Sequence, residues 1–168
     1  MRTGYDIAAL LFGTALWALP ASAQNLIVQD GWQGFAVRSA EGKFDRCILY
    51  NRTIEALNSS PYDMLGLSRD GAGNVGLIAF YEPRSFTRRQ RQTVTLTLDR
   101  QAPLSLSGDI ISDFHVVIPG PLEASTLAAL RETSSLEVSV ENKTLRLAIT
   151  GVGAALDRLT DCVKTYAR

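Results

Sequence analysis

LRLAITGVGAALDRLTDCVKTY, residues 145–166, changes its hydrophobic period halfway along. Leu145, Leu147 and Ile149 alternate with Arg146 and Ala148, the period of a strand with one buried face. From Val152 onward the apolar residues fall three and four apart: Val152, Ala155, Leu156, Leu159, Val163 and Tyr166 share one helical stripe. Asp157, Arg158, Asp161 and Lys164 occupy the other side, and Cys162 lies at the stripe's edge. Thr150 is placed to cap the helix. A strand that passes directly into a one-sided helix predicts that the helix folds back over the sheet it has left. The chain is therefore expected to be α+β.

Upstream, the period of two dominates. Leu136, Val138 and Val140 form a strand, and Glu141-Asn142-Lys143 turns it back into Leu145 to make a hairpin. In TVTLTLD, residues 93–99, Val94, Leu96 and Leu98 alternate with three threonines, giving a half-buried strand with a hydroxyl face. LSLSG, residues 104–108, continues that alternation after Pro103. FDRCILY (44–50) and FHVVI (114–118) are further strands. WQGFAVR (32–38) is a strand whose buried face the alternation leaves open. Met64 to Leu67 and Val75 to Tyr81 flank the glycine-rich 69–74 and predict a second hairpin. Asn58-Ser59-Ser60-Pro61 is turn chemistry. Pro121 suits a first helical position and Glu123 the favourable end of the dipole, with Leu122, Leu127 and Leu130 on one face of a helix reaching about Thr133. The sum is an α+β domain, mainly antiparallel sheet or sandwich, of about eight short strands and two helices. Connections this short do not suit parallel crossovers.

The first 23 residues read as a leader. Arg2 precedes an apolar run from Ile7 to Leu19, and Pro20-Ala21-Ser22-Ala23 offers a small-residue cleavage site. The run is too short to span a bilayer, and no later stretch approaches spanning length. No cysteine follows the cleavage site to carry a lipid anchor. The expectation is a signal peptide at 1–23, a single domain at 24–168, and a periplasmic or secreted protein. Seventeen Lys+Arg balance seventeen Asp+Glu. The leader removes one of each, Arg2 and Asp6, so the remainder is also neutral. Neutrality argues against nucleic acid or an anionic membrane as the main partner.

Two cysteines remain, Cys47 and Cys162. In an oxidising compartment such a pair reads first as a disulfide, with two buried thiols as the alternative. A lone histidine, His115, leaves too few ligands for structural zinc. A CxxC pair is absent, which excludes thioredoxin-like chemistry. No metal or cofactor is expected.

The candidate site is the arginine cluster RSFTRRQR, residues 84–91. Arg84, Arg88, Arg89 and Arg91 could bind phosphate, acidic glycan or an acidic protein patch. Their plain reading is a solvated loop that blunts a sheet edge. His115 could serve as a general base if the fold brings a carboxylate to it, Asp109 and Asp113 being nearest in sequence. No G-x-S-x-G elbow accompanies it. DGAGN, residues 70–74, lacks the alternating acids of an EF-hand and reads as a turn. Its glycines do not form a dinucleotide fingerprint. Trp32 is either an interaction anchor or a core residue. Asn51-Arg52-Thr53 and Asn142-Lys143-Thr144 match glycosylation acceptors.

Trp32, the Cys47 strand, the strand ending in Asp99, the helix at 122–130 and LRLAITGVGAALDRL (145–159) together resemble the invasion-associated locus B family of small bacterial proteins. That family has a more cysteine-rich middle; this chain has no cysteine between Cys47 and Cys162. The resemblance implies an envelope protein aiding stress tolerance or host-cell interaction, with no catalytic residues to carry over. The leading functional expectation is thus a non-enzymatic envelope module that binds an envelope or host protein or glycan. The alternatives are a periplasmic hydrolase using His115 and a carrier of a small apolar ligand.

Overall fold

The structure, a computed structural model, describes residues 27–29, 31–53, 60, 62–87 and 89–167. The leader, most of the 58–61 turn and Arg88 lie outside them. Ten strands form one sheet: β1 (Ile27–Gln29), β2 (Trp32–Arg38), β3 (Phe44–Tyr50), β4 (Met64–Asp70), β5 (Val75–Phe80), β6 (Arg91–Leu98), β7 (Leu104–Ile110), β8 (His115–Ile118), β9 (Ser135–Val140) and β10 (Lys143–Ala148). Their order is β1-β2-β3-β4-β5-β8-β7-β6-β9-β10, with every pair antiparallel. Among the described residues two helices, α1 (Ala124–Glu132) and α2 (Val152–Tyr166), complete the α+β fold.

The inner sheet face and α2 enclose one apolar core. Its members include Trp32, Leu49, Leu67, Leu77, Leu96, Ile118 and Val138 from strands, and Val152, Ala155, Leu156 and Leu159 from α2. Trp32 settles the ambiguous β2: its indole is buried and its Nε1 donates to the Thr150 carbonyl at 2.7 Å. It is a core residue, and it ties the start of β2 to the segment that leaves β10. Tyr81 likewise crosses the core, its hydroxyl donating to the Val138 carbonyl at 2.9 Å; burial raises its pKa. A disulfide joins Cys47 on β3 to Cys162 on α2 across 115 residues. Both cysteines are buried.

A second apolar cluster lies on the opposite face of β2–β5 and β8. Ile48, Tyr50, Met64, Ile78 and Phe80 are buried there, with Phe35, Val37, Phe114 and Val117 packed around them. These strands are apolar on both faces, which is why β5 has no polar side at all. Gly66 is part of this packing. A Cβ there would press on Ile78 and the Tyr50 ring, each at 3.2 Å.

Several expectations are corrected. The described residues hold ten strands where about eight were expected, and the short β1 is the one that no alternation announced. Helix α1 begins at Ala124 with Glu123 as its N-cap. Pro121 and Leu122 precede it, and Leu122 is buried from the loop. Thr150 does not cap α2; Gly151 does, at φ 70°, and no side chain bonds the first turn. The Thr150 carbonyl is instead used by Trp32. Phe114, the first residue of FHVVI, is not part of β8, which begins at His115. It lies in the turn before β8, where its carbonyl accepts from the Tyr81 N–H, and it packs on the outer cluster. The 69–74 segment is a turn as expected, with the Asp70 carboxylate accepting from the N–H groups of Ala72 and Asn74 at 2.9 Å.

Asp99 fastens the turn after β6 to the start of β9. Its φ is 49°, and its carboxylate accepts from the N–H groups of Ser134 (3.0 Å) and Ser135 (2.7 Å) and from both serine hydroxyls. Desolvation pushes its pKa upward, but these donors outweigh it and bring the value down from 3.8 to about 2. A lowered carboxyl pKa contributes stability that is complete above the ordinary value and lost as pH falls through the folded one. Acid melts should therefore weaken between pH 3.8 and about 2, and Asp99→Asn should flatten that limb. Identical acid profiles for the two proteins would exclude Asp99 as a source.

Candidate functional site

Antiparallel pairing puts five strand connections at one end of the sheet. Met64 pairs with Phe80, Phe80 with His115, and Arg91 with Asp109. The connections after β1, β3, β5, β7 and β9 thus leave from that end. The arginine cluster belongs to this end. Its loop is held against the β7–β8 turn by Asp113, whose carbonyl accepts from the Phe86 N–H at 2.9 Å and whose carboxylate accepts from the Arg84 N–H at 3.3 Å. The Phe86 side chain is buried against Tyr81, ring centroids 5.0 Å apart. It anchors the loop and does not face a ligand.

The four arginines do not act alike. Arg91 lies in β6 and pairs with Asp109 at 3.0 Å on the surface, which raises its pKa. Arg84 and Arg89 are exposed. Their side chains form no ion pair among the described residues. Arg88 lies outside those residues. Acids share this end: Glu82 and Glu141 are exposed, and Glu141 accepts from Gln90 and Gln92.

His115 sits beside this loop on the outer sheet face, half-buried. Its ring meets Phe80 edge-on at 4.3 Å and lies 4.0 Å from the Phe114 ring, which in turn meets Tyr62 at 5.3 Å. Tyr50 and Phe35 continue the chain of rings across β5, β3 and β2. The Nδ1 atom of His115 is 2.8 Å from Ser112 Oγ, which already accepts from the N–H groups of Phe114 and His115. The serine proton is therefore free to go to Nδ1, which leaves the imidazole proton on Nε2. Burial lowers the His115 pKa, opposed by the charge of Asp113. The imidazole is thus neutral at pH 7, and no carboxylate touches it among the described residues. This is the arrangement of a packed aromatic with its polar atom satisfied by a turn. Sequence reasoning missed Ser112, whose signal was its position three residues before the histidine in a turn.

Two shallow depressions open elsewhere. One is lined by Arg91, Thr93, Ser105 and Ser107, the other by Thr97, Asp99, Glu137 and Arg146. Both lie on the hydroxyl-bearing face of β6, β7, β9 and β10. Of the two sequons, Asn51 is engaged by the Leu65 N–H at 2.8 Å, whereas Asn142 is exposed at a hairpin tip.

The class defined by this fold is an antiparallel α+β domain with a disulfide between sheet and helix. No protein-family model matches the sequence, and no curated protein matches it. A crystal structure of invasion associated protein B from Bartonella henselae bears a loose structural resemblance: TM-score 0.49 and 19% identity, covering 83% of this chain and 97% of that one. No helix among the described residues is long and apolar enough to cross a membrane.

Proposed function

We propose that this chain is a non-enzymatic module of the bacterial envelope, periplasmic or secreted, that binds an anionic surface of an envelope or host protein or glycan. Arg84, Arg88 and Arg89 make the contact, and Arg91 supports the loop through Asp109. The observation that carries this reading is the exposure of Arg84 and Arg89 on a loop whose backbone Asp113 fixes and whose Phe86 is buried. Charges held on a fixed loop lose less freedom on binding than charges on a mobile one. The leader-like sequence and the disulfide support the compartment.

Replacing Arg88 and Arg89 by Ser should change stability by less than about 0.5 kcal/mol, the usual range for solvated surface positions, Arg89 being exposed. The same change should weaken retention on an immobilised heparin-like polyanion, and added salt should mimic it. Retention untouched by the double substitution would place the site elsewhere. Arg84→Ser, at φ 60°, is the less clean variant because it also disturbs the turn.

A further inference from the structure

We propose that the outer edge of β10 is a docking strand for an extended segment of another protein, one that alternates apolar and acidic residues. β10 ends the sheet order, so one side of it has no neighbouring strand among the described residues. The ladder shows which backbone groups that side carries. The Ile149 N–H donates to the Ser134 carbonyl, and in an antiparallel pair the bonded residues recur every second position. Lys143, Leu145 and Leu147 therefore spend their amides on β9. The N–H and C=O groups of Thr144, Arg146 and Ala148 point the other way, and they have no backbone partner among the described residues. All three residues are exposed.

The edge is regular: its six residues pair with β9 without a register shift, and none is proline. It also offers something to cover. Leu147, on the inner face, is only half-buried. An added strand with an apolar residue on that face would complete the core rim, as strand addition commonly does. Charge indicates the rest of the partner. β10 carries Lys143 and Arg146 and no acid. Arg146 lies over the sheet face toward Glu137, 2.7 Å away, and leaves the edge itself open. Pairing with a second copy through all three free residues would set Arg146 opposite itself, and like charges directly opposed are unfavourable. An acidic strand gains where a copy of this chain loses.

The probe is a capped peptide of sequence SLEVSV, which is β9 itself and supplies both the alternation and the acid. Titrated into the full chain and followed by NMR, it should shift the amides of Thr144, Arg146 and Ala148 and slow their solvent exchange, leaving residues 84–91 unmoved. Arg146→Pro removes an N–H that bonds nothing in the sheet, together with the exposed pair to Glu137, at a position where edge strands accept proline. It should abolish the response while urea unfolding remains cooperative, and Ala148→Pro gives a second variant should the first not fold. The same peptide with E137K should bind several-fold more weakly. Shifts centred elsewhere, no shift at all, equal binding of both peptides, or self-association of the chain through β10 would each overturn the proposal.

Discussion

Leu159→Ala should lower the stability of the protein by about 2–5 kcal/mol, through lost transfer energy and the cavity left behind. Leu159 is fully buried on α2, between the inner sheet face and the rest of the helical stripe. The neighbouring turn supplies the control. Asp157 is two residues away but on the wet side, paired with Arg131 of α1 at 2.7 Å with both side chains substantially exposed. Exposed pairs contribute roughly 0–1 kcal/mol, so Asp157→Ala should cost no more than that. Urea melts of the two variants, compared at equal slope, give the answer. Equal midpoints would mean that α2 does not hold the sheet, and the packing described above would be wrong.

Removing the disulfide should cost about 2–4 kcal/mol, less than the roughly 4.7 kcal/mol that chain entropy alone assigns to so long a loop. Cys162→Ser leaves Cys47 buried on β3, where it pairs in register with Ala36 and Arg69. The measurement is a denaturant midpoint for wild type and Cys162→Ser, with reduced wild type as a third sample. Reduced wild type and the variant should agree. An unchanged midpoint would show that α2 is fixed by packing alone. Because Cys162 lies one turn from Leu159 on the same stripe, the two losses share neighbours, and a double variant should not show their simple sum.

Much of the fold was legible in the sequence because much of it is local. The 64–80 and 135–148 hairpins declared themselves through alternation around short turns, and α2 through its three-four stripe. The residues that misled were those whose role is set at a distance. Thr150 has a good capping side chain, but its carbonyl is taken by Trp32 from 118 positions away, and a left-handed Gly151 starts the helix instead. Phe86, which sits among the arginines of residues 84–91, is buried against Tyr81 as an anchor. Phe114 fits the alternation of its strand on paper, yet its turn places it with Tyr62 and His115. The arginine cluster was legible as composition. Its division into a paired Arg91 and exposed Arg84 and Arg89 was not, because Asp109 and Asp113 reach it from β7 and the following turn.

By itself the sequence determined the class of this protein: hydrophobic period fixes which residues can share a face, and an isolated pair of cysteines suggests its own pairing. Only the tertiary structure decided that ten strands of the described residues form one sheet, that β2–β5 and β8 are apolar on both faces, and that β10 stands last in their order. Those are matters of strand order. Strand order depends on contacts such as Trp32 with Thr150, Tyr81 with Val138 and Cys47 with Cys162. Such contacts join residues remote in sequence, and no local pattern records which distant partner a buried donor or thiol will find.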